Sequence, residues 1–320
     1  MITPRVLVTG AGGFVGEALV FKLLLDKQFT PVAASRGRTR LQGLCAVMPL
    51  DLTRPDMFPV LEGIHAVVHA AARVHVMNET AVDALSEFRR VNVQGTLRLA
   101  RHAAESGVKR FIFISSIKVN GESTVVDKPF KADDLPAPVD PYGVSKYEAE
   151  EALKELAQKT GMEVVIIRPP LVYGPGVKAN FLSMLRWLDK GIALPLGAIA
   201  NRRSLVAIGN LVDLIQVCIS HPAAANNIFL VSDGEDLSTS NLLRRLASAL
   251  GKRPLLIPVP EWMLKMAASL LGKQAIAQRI CGSLQVDISK NLVLLGWVPP
   301  VSVDKAFRQT AAHYQDMRTK

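Results

Sequence analysis

Val6-Leu-Val-Thr9 running directly into Gly10-Ala-Gly-Gly-Phe-Val-Gly16 is the stretch whose reading decides the fold. A short β-favouring run meets a glycine-rich turn, and Phe14 to Asp26 follows with apolar residues at helical spacing. In that context Gly10 permits a tight turn, Gly13 lets backbone approach a pyrophosphate, and Gly16 lets helix and strand pack closely. The helix N-terminus, with Phe14 and Val15 in its first turn, adds N–H donors and the positive end of a dipole. The spacing is GxxGxxG, and it predicts a dinucleotide phosphate site at the start of an α/β domain.

Outward from this loop the rhythm continues. β-rich runs at Pro31 to Ser35, Ala66 to Ala70, Arg110 to Ser115 and Glu163 to Arg168 alternate with helix-like segments near Glu87 to Ser106 and Ser145 to Thr160. Alternation of this kind predicts a Rossmann-type, doubly wound parallel sheet with helices on both faces. After Tyr173 glycine and proline punctuate the chain, then Ser204 to Ile208 and Ile228 to Ser232 read as further strands near the core sheet. The expected organisation is a dinucleotide-binding domain over 1–171, with 204–235 returning to it, and a smaller substrate-binding lobe from 172–203 and 236–320. The segment Glu261 to Leu284 reads as mixed helix with scattered basic residues, expected to pack against the first lobe in preference to lying on a membrane.

The second strand selects the cofactor. An acid about 20 residues beyond the glycines would bind the adenosine ribose of NAD, but none lies between Asp26 and Asp51. The strand ends instead in Ser35-Arg36, and a planar guanidinium suits a 2′-phosphate, so NADP is favoured over NAD.

Asp140-Pro-Tyr-Gly-Val-Ser-Lys146 opens a helix, and Tyr142 and Lys146, four apart, project from one face. A phenol with a pKa of about 10 is a reluctant acid near neutrality, and a neighbouring ammonium favours its phenolate. Tyr142 is therefore expected to exchange a proton and Lys146 to tune it. Upstream, Phe111-Ile-Phe-Ile114 delivers Ser115 and Ser116 to the C-terminal edge of the sheet, where α/β ligands bind and a hydroxyl can share the oxygen that Tyr142 protonates.

Composition narrows the partners. The chain has 320 residues, 49% of them hydrophobic, 21% charged and 6% aromatic, which is ordinary for a globular protein. Its apolar runs are strand-sized, short of the roughly 20 residues of a membrane span, and no export signal is visible; a cytoplasmic location without membrane insertion is expected. Cys45, Cys218 and Cys281 lack the spacing of a disulfide frame or a metal site. The net charge of +10 comes from scattered Lys and Arg, with small clusters at Arg36 to Arg40 and Arg202-Arg203. No basic stripe with interleaved aromatics suggests nucleic acid, so anionic small molecules are the expected partners.

With Thr9 to Gly16, Ser115-Ser116 and Tyr142/Lys146 in this order, nearly the whole chain resembles the nucleotide-sugar branch of the extended short-chain dehydrogenase/reductase family. The resemblance implies that Asp51-Leu52 flanks the adenine, that Ala70, Ala71 and Ala72 line the cofactor after His69, and that Asn92 lies near the nicotinamide-side ribose. It also implies cofactor contacts at Pro169 and Val172, Ser116 as the catalytic hydroxyl, and Asn180 and Arg203 holding a substrate diphosphate. A homodimer through two helices of the first lobe is a further family expectation.

Departures from the family pattern refine the chemistry. Sugar 4,6-dehydratases carry Asp-Glu after the catalytic hydroxyl residue; here Ile117 and Lys118 stand there, and a Lys cannot replace that base without a large pKa shift. Leu171 replaces a substrate-contacting Asn, and Asn120 stands where galactose-type epimerases have Tyr. Lys118 is expected near the sugar, restraining the bound ketone. Ser115 to Glu122 and Pro169 to Asn180 look most like bacterial UDP-N-acetylquinovosamine 4-reductases of O-antigen synthesis. That likeness implies NAD(P)H-dependent reduction of the C4 ketone of a UDP-4-keto-6-deoxy-N-acetylhexosamine. The alternative is a UDP-sugar 4-epimerase with bound NAD; a non-catalytic NADP-binding regulator is the remote third, because fold does not fix function.

Overall fold

The computed structural model describes residues 3–54, 58–74 and 83–319. In chain order its strands are β1 (Arg5–Thr9), β2 (Thr30–Ser35), β3 (Ala46–Pro49), β4 (Ile64–His69), β5 (Arg110–Ile114), β6 (Glu163–Arg168), β7 (Leu171–Tyr173), β8 (Arg203–Ala207), β9 (Ile228–Leu230) and β10 (Asp236–Leu237). The helices are α1 (Phe14–Asp26), α2 (Ala84–Phe88), α3 (Thr96–Glu105), α4 (Pro141–Thr160), α5 (Ala179–Asp189), α6 (Ile208–Ser220), α7 (Thr239–Ala249), α8 (Glu261–Leu270), α9 (Gln274–Cys281), α10 (Ser289–Leu295) and α11 (Val303–Thr319).

Seven strands form the central sheet in the order β3-β2-β1-β4-β5-β6-β9, every pairing parallel. This is the expected doubly wound α/β architecture. Both faces are covered, so the inner strands read as continuous apolar runs, and all five residues of β5 are buried. Strand alternation divides the core: Val6, Val8, Val68 and Ile112 pack with Leu19 and Leu23 of α1 and Leu211 and Ile215 of α6. Leu7, Val67, Phe111 and Phe113 face the other way, against Leu99 and Ala103 of α3 and Leu153 and Leu156 of α4. Strand order reverses between β1 and β4, a switch point at which the C-terminal strand ends leave a crevice.

A second sheet, β10-β8-β7, carries α5, α7 and α11 around Tyr173, Phe181, Leu243 and Phe307. Here one expectation is corrected. Ser204 to Ile208 does not extend the central sheet: β8 pairs with β7 and β10, and Ile208 already begins α6. The return to the first core is made by α6, while β9 adds to β6 as expected. For Glu261 to Leu284 the correction is partial: Leu284 packs with Ile117 and Leu230 of the first lobe as expected, but the helices before it do not. No residue of α8 is buried, and α9 buries only Ala277 and Cys281, so the first of these helices rests on neither lobe's core.

Candidate active site

The glycine loop has the geometry a phosphate requires. Gly10 takes φ +66°, and a Cβ there would stand 2.7 Å from the Ala71 nitrogen, so the chain crossing above β4 leaves room for glycine alone. A Cβ on Gly16 would strike the Gly10 carbonyl, which explains the close seating of α1 under β1. Gly13 is the N-cap of α1 and offers no side-chain cap, so the first-turn N–H groups of Phe14, Val15 and Gly16 point from an exposed loop with nothing from a capping side chain on them. That uncapped, glycine-walled helix end fits a dinucleotide pyrophosphate.

Ser35 and Arg36 follow at the end of β2. The Ser35 hydroxyl bonds its own turn at the Gly37 carbonyl, 3.1 Å away, and Arg36 is exposed. Asp51 accepts from the Thr53 N–H and hydroxyl, each at 2.8 Å; these bonds hold its carboxyl below the usual range. Leu52 is buried beneath, and its carbonyl takes the Arg98 guanidinium at 2.8 Å.

Past β4, His69 is buried between Thr9 Oγ1 at 2.7 Å and Thr96 Oγ1 at 2.9 Å. Burial drives its pKa to about 3, so the imidazole is a neutral strut. Thr9 Oγ1 also accepts from Ala71 N–H, which sets the path of Ala70, Ala71 and Ala72 over the glycine loop. Asn92 sits in a π-helical stretch, Arg89–Gly95, of the kind found at functional sites. Its side chain accepts from Arg73 N–H and donates to the Arg73 carbonyl and to Ser145 Oγ, tying this loop to α4. Asn92 is thus a brace between this loop and α4.

Helix α4 carries Tyr142 and Lys146. Asp140 caps it by accepting from Gly143 N–H at 2.6 Å, and Pro141 occupies its first turn, where a missing N–H costs nothing. Tyr142 is half-buried with Phe88 edge-on at 5.9 Å. Lys146 is fully enclosed; its ammonium donates to the Ile114 carbonyl at 2.8 Å and lies 4.4 Å from the Phe113 ring centroid. Burial pulls its pKa down to about 7, against the upward pull of Glu150.

The expected lowering of the phenol by Lys146 has two influences set against it. Burial and the Asp140 carboxylate push the Tyr142 hydroxyl above its ordinary value, and the ammonium stands 5.9 Å from the ring centroid, already engaged by a carbonyl.

The two serines divide their labour. Ser115 is buried and donates to Glu150 at 2.5 Å, whereas Ser116 is half-buried and its oxygen accepts only a long, 3.3 Å bond from Lys118 N–H. That leaves Ser116 Oγ available at the strand end. Lys118 ion-pairs with Asp140 and, at 3.2 Å, with Glu122. Its ammonium therefore joins the serine turn to the cap of α4.

Sequence reasoning missed the buried pair beneath. Glu150 and Arg168 are 0% and 1% exposed and meet through three hydrogen bonds, with Arg168 also reaching Asn120 Oδ1 at 3.0 Å. The available signal was Glu150 four residues after Lys146, which extends the Tyr142 and Lys146 face by one turn.

Pro169 is buried, its carbonyl accepting from Ile117 N–H at 3.0 Å, and Val172 lies half-buried in β7. Asn180 is exposed in the first turn of α5. Arg203 is half-buried on β8 and donates to the Arg279 and Gly282 carbonyls, both at 3.0 Å; no carboxylate pairs with it among the described residues. A cation paired only with carbonyl dipoles retains its attraction for a diphosphate.

Comparisons with known proteins agree with this geometry. Residues 6–232 match the model of the NAD dependent epimerase/dehydratase family. A UDP-glucose 4-epimerase of Vibrio cholerae is 51% identical over 96% of this chain and 94% of its own. An N-acetyl-α-D-glucosaminyl-diphospho-ditrans,octacis-undecaprenol 4-epimerase of Escherichia coli O157:H7 is 29% identical over 97% of this chain and 95% of its own. Among solved structures, MoeE5 in complex with UDP-glucuronic acid and NAD superposes with a TM-score of 0.77 at 25% identity, covering 98% of this chain and 99% of that one. The glycine loop, the serine turn and the Tyr142/Lys146 face lie on a fold and a sequence that belong to the NAD dependent epimerase/dehydratase family of extended short-chain dehydrogenases.

Proposed function

We propose that this protein is a UDP-hexose 4-epimerase that keeps NAD bound through the reaction. The Vibrio cholerae relative, 51% identical across nearly the full chain, carries this reading and supports it better than reduction of a 4-keto sugar. Nicotinamide held by the glycine loop would supply the acceptor, and later the donor, of the C4 hydride. Tyr142 Oη would take the proton of the sugar 4-hydroxyl as hydride leaves C4, and return it to the same oxygen when the hydride comes back to the opposite face of C4. The Ser116 hydroxyl holds the same oxygen during both transfers. Lys146 fixes the face of α4 through Ile114, and Arg203 with Asn180 keeps the diphosphate anchored while the sugar turns. Leu171, 44% exposed, offers that sugar no polar grip, which suits a ring that must present both faces.

NAD is the proposed cofactor because MoeE5 was solved with it; the missing acid between Asp26 and Asp51 and the Arg36 guanidinium are the features that speak for NADP. The test is interconversion of UDP-glucose and UDP-galactose with no nicotinamide added beyond what co-purifies. Epimerisation without net oxidation of NADH or NADPH supports the proposal. Consumption of reduced cofactor with UDP-4-keto-6-deoxy-N-acetylglucosamine, and no interconversion, would establish the reductase instead.

A second substrate reading has one structural observation behind it. Next to Arg203, through the carbonyls at the end of α9, the chain exposes an apolar helix, and the Escherichia coli relative acts on a sugar joined by a diphosphate to a polyprenol.

A further inference from the structure

Between Leu255 and Ile276 the chain leaves eight large apolar side chains exposed: Leu255, Ile257, Trp262, Met263, Met266, Leu270, Leu271 and Ile276. Trp262, Met266 and Leu270, at i, i+4 and i+8, form one stripe of α8, and Leu270 is 82% exposed. A stripe of this kind, on a helix without a single buried residue, is covered by none of the described residues.

Charge says what covers it. From Lys252 to Gly282 the sequence holds Lys252, Arg253, Lys265, Lys273 and Arg279 against one acid, Glu261, and all five cations are exposed. An apolar stripe edged by lysine and arginine matches an anionic bilayer, whose acyl boundary takes the apolar residues and whose headgroups take the cations. A second copy of this chain would set the same positive rim against itself.

We infer that the α8–α9 hairpin docks on the surface of an anionic membrane, lying in the interface and not crossing it. No helix among the described residues is long and apolar enough to span. The hairpin ends at the Arg279 and Gly282 carbonyls that hold Arg203, so docking places the diphosphate side of the proposed site close to the headgroups. The inference concerns a surface and stands whichever sugar diphosphate is turned over.

The test uses the full-length protein with phosphatidylglycerol/phosphatidylethanolamine vesicles and, separately, phosphatidylcholine vesicles. Co-sedimentation is expected with the anionic vesicles only, weakening as salt rises. Trp262→Ser/Leu270→Ser should reduce binding roughly ten-fold or more while UDP-glucose epimerisation is unchanged. Trp262→Phe should bind like wild type but lose the blue shift of tryptophan emission that vesicles induce, which marks the helix itself as the contact. Equal sedimentation of wild type and the double variant would overturn the inference. So would a dimer in solution that the double variant disrupts, because the stripe would then belong to a second copy.

Discussion

At the residue scale the chemistry turns on Tyr142 and on what surrounds its oxygen. Burial and Asp140 raise its pKa, so the neutral phenol is the resident form, and positive charge must gather nearby before it works as a base. Tyr142→Phe removes the only proton carrier proposed and should lower turnover by about 10²–10⁴-fold with cofactor binding retained. Initial rates beside cofactor content of the purified variant check this. Lys146 yields a pH prediction. Its folded pKa of about 7 lies below the ordinary 10.5, so between those values the unfolded chain binds the extra proton and stability rises with pH. The cost of enclosing the ammonium is fully present below about pH 7 and fades towards 10.5. Lys146→Met should therefore gain stability over wild type at pH 6 and lose that advantage by pH 10, while losing activity; urea midpoints at the two pH values measure it. A constant difference would mean Lys146 does not titrate in the folded protein.

At the element scale, α4 is held at both ends of its catalytic face. Asp140 caps its start and takes the ammonium of Lys118, and one turn past Lys146 the Glu150 carboxylate locks into Arg168 and Ser115. Glu150→Gln leaves the Arg168 charge buried without its partner and should cost roughly 3–5 kcal/mol, read as a lowered urea midpoint with unchanged slope. Lys118→Ala cuts a half-buried, solvent-reached tie and should cost about 1 kcal/mol, yet lower turnover more than it changes substrate affinity, because the serine turn and α4 lose their link. Gly16→Ala pushes a methyl into the Gly10 carbonyl, and the variant should purify with little or no bound nicotinamide. The glycine loop and the Tyr142/Lys146 face were legible in the sequence because each is local, a few residues at a fixed spacing. The Glu150–Arg168 pair and the ties of Asn92 to Arg73 and Ser145 were not, because each joins residues 18 to 53 positions apart that only the folded sheet brings together.

At the scale of the whole molecule, the strand rhythm up to Arg168 predicted the central sheet, since buried parallel strands announce themselves by continuous apolar runs. Beyond Tyr173 the same signal misled. Ser204 to Ala207 is as apolar as a core strand, and only its pairing with Leu171–Tyr173 and with Asp236 shows that it serves a second sheet. Arg203 stands on β8 of that second sheet, apart from the central sheet that carries the glycine loop. The central claim is that one C4 hydrogen leaves and returns within the crevice. Incubation with UDP-glucose carrying deuterium at C4, followed by NMR of the UDP-galactose formed in ordinary water, tests it most directly. The account predicts that the product keeps its deuterium at C4. Product with solvent hydrogen at C4, or no product at all, would contradict it.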